Sequence, residues 1–183
     1  MKKVLMMAGL ILAANLGADE YKIDAAHSNI GFKVKHLLVS TVGGNFKNFN
    51  GKIDLDPANK KINFFEGEIA VDSINTDNEK RDDHLKSPDF FDVKKNPKGY
   101  FKMTKQEGDK LYGILTFGSV SREVVFDAEM SDVVVHPKTK KNVTALELEG
   151  KINRKDFNIG SGVPNTVVGD EVKIVINLEL LGQ

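Results

Sequence analysis

Val172-Lys173-Ile174-Val175-Ile176-Asn177-Leu178-Glu179-Leu180 is the stretch that decides the architecture of this chain. Its residues at 172, 174, 176, 178 and 180 are all apolar, and the positions between them are mostly polar. That is the period of a half-buried β-strand, in which successive side chains point to opposite faces of the sheet. The same period recurs upstream in Ile30, Phe32 and Val34, then in Phe49, Gly51, Ile53 and Leu55 before the turn Asp56-Pro57-Ala58-Asn59. Phe65, Gly67, Ile69 and Val71 follow, then Phe101 and Met103, then Leu111, Gly113, Leu115 and Phe117. Val124, Phe126, Ala128 and Met130 form another set, and Leu146, Leu148 and Ile152 the one before the last. With the opening segment Tyr21–Ala25 the count is nine candidate strands at hairpin spacing, and no stretch suits a βαβ crossover. An all-β antiparallel barrel or sandwich is therefore expected. No internal repeat, low-complexity tract or linker interrupts residues 19–183, which read as one domain.

The chain has 183 residues, 40% of them hydrophobic and 28% charged, the proportions of a globular protein. Its 26 basic and 26 acidic residues balance, so there is no general field for gathering phosphates, and nucleic acid is not an expected partner. The absence of cysteine excludes disulfides, a thiol nucleophile and every cysteine-ligated metal site. Lys2 and Lys3 precede an apolar run from Val4 to Leu16 that ends at Gly17-Ala18, the order of a secretory signal peptide over residues 1–18. The run is shorter than the roughly 20 residues a membrane-spanning helix needs. The expected location is the periplasm, with no stable membrane anchor. The remaining chain would start at Asp19 with 24 basic against 26 acidic residues and would keep all eleven phenylalanines.

One segment breaks the strand rhythm. Thr76-Asp77-Asn78-Glu79 has the form of a capping box, with Thr76 as the N-cap of a short helix near residues 77–86 that Ser87-Pro88 stops. Arg81, His84 and Leu85 would share one face, with Asp82 and Asp83 directed elsewhere. The pair Phe90-Phe91 follows between Asp89 and Asp92. Two readings are open: a helix that caps one end of a barrel, or a surface helix pinned by ordinary core aromatics.

Three arginines stand among 23 lysines, so each is a distinct choice. Arginine keeps its charge when buried and forks onto oxygen acceptors. Arg81 and Arg154 each suit either a salt bridge to a local aspartate (Asp82, Asp89 or Asp156) or a contact with a ligand's polar head. Arg122 reads as a solvated loop residue. His36 continues the inward set of Ile30, Phe32 and Val34; His27, beside Ser28, suits a turn; His84 rides the helix face. No His-x-His or His-x-x-x-His spacing occurs, so no metal site is expected. Nucleophile elbows, P-loops and dinucleotide fingerprints are absent.

The residues together carry a family resemblance. His27-Ser28-x-Ile30-x-Phe32-x-Val34-x-His36 is followed by Gly44-x-Phe46-x-x-Phe49-x-Gly51, and then by Asp72-Ser73-Ile74-Asn75-Thr76. Next come Arg81-Asp82-x-His84-Leu85-x-Ser87-x-Asp89-Phe90-Phe91-Asp92, Pro97, Phe101 and Gly113-x-Leu115-Thr116. Arg154-x-Asp156-Phe157 and Val168-Gly169-Asp170-Glu171-Val172 complete the series. From Ile23 onward the chain resembles the YceI-like polyisoprenoid-binding proteins. One departure is Glu123, where the family commonly has proline; it falls in an expected outer loop.

The resemblance implies an eight-stranded antiparallel, lipocalin-like barrel with an elongated hydrophobic tunnel for a polyisoprenoid or similar long-chain amphiphile. It also implies a homodimer and no catalytic residues; the run Val133-Val134-Val135 and Ile114, on the outward parity, suit either a subunit interface or a core edge. The only bound group expected is the lipid itself, an isoprenoid quinone or a polyprenyl compound. The tunnel would be lined by Phe32, Val34, His36, Phe46, Phe49, Ile53, Ile69, Val71, Leu85, Phe90, Phe91, Phe101, Met103, Leu115, Phe117 and Ile174. Inward glycines 51, 67 and 113 would leave room beside them. His27, Arg81, Asp82, His84, Asp89, Arg154 and Asp156 would form a polar-head or structural network. Two other functions remain open on sequence alone. One is an enzyme acting on a lipid head group, with His36 or His84 as general base. The other is an interaction module with a solid interior.

Overall fold

The computed structural model describes residues 19–182. The expected signal peptide at residues 1–18 lies outside the described residues. The strands are β1 (Asp19–His36), β2 (Ser40–Phe46), β3 (Phe49–Asp56), β4 (Lys61–Ala70), β5 (Ile74–Asn75), β6 (Lys98–Glu107), β7 (Lys110–Phe117), β8 (Val120–Met130), β9 (Val134–Val135), β10 (Asn142–Asn153) and β11 (Val168–Gly182). The helix α1 spans Glu79–Lys86. Eight strands close into an antiparallel barrel in the order β1-β3-β4-β6-β7-β8-β10-β11, and β11 returns to pair with β1. The sheet therefore has no open edge along its main path, which removes the usual liability of unpaired backbone groups.

Three expectations change here. The segments at 21–25 and 30–36 are a single strand, β1, whose register against β11 shifts between Asp24 and Asn29. Such a bulge bends a strand without ending it, and this is why nine sequence segments make eight barrel strands. Conversely, Ser40–Phe46 is a strand the alternation did not show, because Gly43 and Gly44 interrupt its apolar set. It pairs with the second half of β1, whereas β3 pairs only with the first residues of β1. Arg122 and Glu123 lie within β8, opposite Leu115 and Ile114, and not in an outer loop.

The interior is divided along the barrel axis. At one end Tyr21, Leu55, Ile62, Leu111, Leu146 and Leu180 pack into a core with almost no exposure. At the other end Phe46, Val71 and Ile74 form a smaller cluster, against which Leu85, Phe91 and Val93 pack. Thus α1 and the turn after it cover the second end, where β2 and β5 extend beyond the eight-stranded girdle. We call these the packed end and the hollow end.

Asn78, not Thr76, caps α1: its side chain accepts from the Arg81 N–H at 3.0 Å. Asp77 takes a left-handed conformation (φ 57°) and its N–H donates to Asn75 Oδ1. That bend turns Thr76 into the interior, two residues before the position its sequence pattern suggests.

Candidate functional site

The hollow end contains a cavity of about 160 Å³, close to the roughly 150 Å³ at which an apolar cavity stays dry and takes a small apolar ligand. Its walls come from every strand that reaches this end. Phe32, Val34, Phe46, Ile69, Leu85, Phe90, Phe91, Phe101, Leu115, Phe117 and Ile174 all border it, as do Phe65, Phe126, Ile152, Ile159, Val168 and Val172. The sequence reading missed this second group. Val172 and Ile152 stood on the inward parity and were legible; Ile159 is carried by an irregular loop, and Val168 opens β11 with too little strand before it to show a parity. His36, Phe49, Ile53, Val71 and Met103 lie elsewhere. Ile53 and Val71 are packed core residues, and Met103 packs against the larger core. Phe49 pairs with Ile69 across β3 and β4. His36 is half-buried at the end of β1.

The glycines do not act as the parity pattern suggests. Gly44 lies directly opposite Phe32, Gly99 opposite Phe117, and Gly150 opposite Phe126. A Cβ on any of these glycines would come within 2.5–2.6 Å of the facing ring. Gly113 likewise has the Phe101 ring at 2.4 Å from where its Cβ would be, and a Cβ on Gly51 would meet the Glu66 carbonyl at 2.7 Å. Such glycines seat phenylalanines flat against the wall. Only Gly67, of the three expected to leave room, has no neighbour closer than 3.8 Å and also borders the cavity. The rings then touch one another in a chain: Phe32–Phe46, Phe46–Phe91, Phe91–Phe117 and Phe117–Phe157, with centroids 5.7–6.1 Å apart. Tilted and edge-on contacts of this kind add to area burial and hold ring orientation.

Glu68 and Arg154 are the charged residues along the cavity. Glu68 is on the outward parity and pairs with Lys98 at 2.8 Å. Arg154 is 3% exposed, and its donors are committed. Nε donates to the Gly169 carbonyl, Nη1 to those of Ile159 and Gly160, and Nη2 to those of Val163 and Val168 and to Asp170 Oδ1 at 2.9 Å. Its carboxylate partner is therefore Asp170, not Asp156, which is exposed. A fully satisfied guanidinium has no donor left for a head group without breaking this network.

Arg81 has a parallel task. Its Nε donates to Thr76 Oγ1 at 2.8 Å and its Nη2 to the Thr76 carbonyl at 2.7 Å. Asp82, which faces inward and is buried, accepts from the Thr76 N–H and hydroxyl. The expected direct pairing of Arg81 with an aspartate is replaced by a relay through Thr76. His84 stands outside the cavity, 3.4 Å from Asp89 and edge-on to the Phe90 ring. Of the seven polar residues expected around a head group, Arg154 alone touches the cavity.

His27 sits at the β1 bulge on the outer wall. Its Nδ1–H donates to Asp24 Oδ2 at 2.9 Å, with Glu179 Oε1 at 3.7 Å. The hydrogen bond from His27 is the main reason the Asp24 carboxyl is held below its ordinary range. The same bond, with the Glu179 charge, raises the imidazole above its ordinary value. One atom from each of these three side chains lies within 4.8 Å of the others, so a cation could be ligated there. As it stands the group is an ion-pair network.

The fold and its site define a class: a closed, eight-stranded, lipocalin-like barrel whose one end encloses an apolar space. The family model of the YceI-like domain matches residues 21–180, and the chain belongs to that family. It is 35% identical to Protein YceI of Salmonella newport over 168 residues, which is 88% of this chain and 86% of that one. The crystal structure of Campylobacter jejuni YCEI protein superimposes with a TM-score of 0.75 at 38% identity, covering 89% of this chain and 98% of that one. A polyisoprenoid binding domain from Saccharophagus degradans shares the fold, with a TM-score of 0.64 at 12% identity, 89% of this chain and 98% of that chain being covered.

Proposed function

We propose that this chain is an exported binding protein that holds a long-chain apolar lipid, a polyisoprenoid or similar amphiphile, inside the hollow end of the barrel. The observation that carries this reading is the cavity: a lipid-compatible space whose single charged side chain on the inner wall, Arg154, is already fully hydrogen-bonded. Membership of the YceI-like family supports it, as does the fold shared with a polyisoprenoid binding domain. Burying a methylene is worth about 0.8 kcal/mol. About ten carbons would thus contribute about 8 kcal/mol before association and ordering costs, a figure that itself corresponds to micromolar binding. A longer chain has to leave its remaining length outside or spread the walls.

A binding role is favoured over catalysis because none of the four histidines borders the cavity. His36 and His84, the residues considered as general bases, have no apolar substrate space beside them. The location we infer is the periplasm. Among the described residues no helix is long and apolar enough to cross a membrane. For self-association, Val133, Val134 and Val135 are 40–61% exposed, and β9 pairs with β10 near the packed end. Sedimentation of the protein tests the dimer: a single monomeric species rejects it. Mass spectrometry of organic extracts from the purified protein tests the ligand. An apolar lipid in proportion to protein is expected; no lipid, and no uptake of added polyprenyl compounds, overturns the reading.

A further inference from the structure

The hairpin that joins β1 to β2 carries a feature that packing does not explain. After the last pair, His36 with Ser40, the Val39 N–H donates to the His36 carbonyl at 3.1 Å and closes a β-turn. Its central residues are Leu37 and Leu38, at φ 50° and 58°. Both are left-handed, the arrangement of a type I′ turn, which Asn-Gly fills at least cost and a branched apolar residue fills badly. The leucines gain no compensating burial: Leu37, Leu38 and Val39 are 54%, 68% and 85% exposed. Two left-handed leucines within a run of three exposed apolar side chains mark a segment shaped for something outside the fold.

Its surroundings indicate what that is. Leu37 N–H is anchored to the Val167 carbonyl at 2.9 Å, and Val167 is itself 39% exposed, so the apolar patch spans two loops. Val34 and Val168, three residues and one residue away, border the cavity. In a chain whose charges balance, residues 25–53 contain Lys33, Lys35, Lys47 and Lys52 and no carboxylate. Lys33 and Lys35 stand on the outer face of β1 below the tip and are exposed. Neither makes an ion pair among the described residues.

We propose that this tip is a membrane-docking element: Leu37, Leu38 and Val39 enter the interfacial region of an anionic bilayer while Lys33 and Lys35 meet its phosphates. A small apolar point backed by lysines suits a lipid interface, where shallow burial and charge attraction combine. Docking there brings the hollow end to the membrane, and its purpose rests on the lipid-carrying reading above.

The chain has no tryptophan, so V39W gives a single reporter at the tip. Its emission should shift to the blue with vesicles of phosphatidylethanolamine and phosphatidylglycerol in equal parts, and the shift should shrink with added salt. Adding L37N and L38G should weaken vesicle binding by about tenfold or more. The same pair of changes, made in the natural chain, should raise the melting temperature, because Asn-Gly relieves the turn. A purely structural tip would not separate those two effects. Vesicle binding undiminished by L37N/L38G, no response of V39W to vesicles, or a blue shift that depends on protein concentration without vesicles would each overturn the proposal. The organic extract of each protein reads the cavity separately. Vesicle binding by protein that holds no lipid leaves the tip proposal standing and removes the carrier reading. Bound lipid without vesicle docking does the reverse.

Discussion

At the packed end, Leu111, Leu146 and Leu180 have no exposure and need no polar partner to stay in place. At the hollow end, Val34, Ile152 and Ile174 face a space, and the elements around them are held by two arginines. Arg154 pins the loop between β10 and β11, and Arg81 with Thr76 and Asp82 pins α1. The contrast has a physical cause. Apolar surface that lines a binding space contributes little to folding until a ligand fills it. Order at that end has to come from another source, and a buried fork of five N–H donors supplies it. Only three arginines occur in the chain, and two of them serve this purpose.

The largest expected effect breaks the hollow end alone. Arg154→Met takes the guanidinium away from Asp170, which keeps only Lys155 at 3.1 Å, and from five backbone carbonyls, and should cost about 3–5 kcal/mol in urea denaturation. A loss no larger than that of a surface substitution, within about 0.5 kcal/mol, would mean the network is incidental. Next comes a like-for-like truncation at the two ends. Ile53→Ala in the core should cost about 2–5 kcal/mol, while Ile174→Ala beside the cavity should cost clearly less in ligand-free protein. Equal losses would show that the hollow end is packed as firmly as the other.

The wall can be tested more finely. Gly99→Ala places a methyl 2.6 Å from the Phe117 ring, and should cost about 1–3 kcal/mol while pushing the ring into the cavity and lowering lipid uptake. Gly67→Ala meets nothing closer than 3.8 Å and should stay within about 0.5 kcal/mol. The smallest effect concerns the bulge between the two halves. The His27 imidazole should titrate by NMR above the ordinary value of about 6.5, and Asp24→Asn should bring it down. The sign follows from both shifts. The contribution of raised His27 is complete below its unfolded value and is lost as pH rises through its folded one. That of lowered Asp24 is complete above its unfolded value and is lost as pH falls through its folded one. The pair therefore contributes most between these limits.

Much of this architecture is legible in the sequence. The two-residue period at 172–180 and in the sets before it reports an antiparallel all-β fold with one face of each strand buried, a barrel or a sandwich, and the family resemblance chose the barrel. The family motifs added the strand number. What escaped the sequence escaped for local reasons. The bulge at 24–29 joined two segments that read as separate, and the paired glycines hid β2. The capping box at Thr76 was displaced by the left-handed turn at Asp77. Rarity flagged Arg81 and Arg154, yet their partners are mostly backbone carbonyls, which carry no side-chain signature. Gly51 and Gly113 were expected to leave room, but the Glu66 carbonyl and the Phe101 ring occupy the space a side chain would take. Leu37 and Leu38 gave no turn signal at all, since nothing in their chemistry favours the conformation they adopt.

Native mass spectrometry of the protein beside a Val34→Trp variant tests the central claim most directly. The natural chain, exposed to a polyprenyl lipid, should carry one added lipid mass, and the variant, folded by circular dichroism but with its cavity filled, should fly without it. Natural protein that stays at its bare mass, or a filled variant that binds as well, would contradict the account.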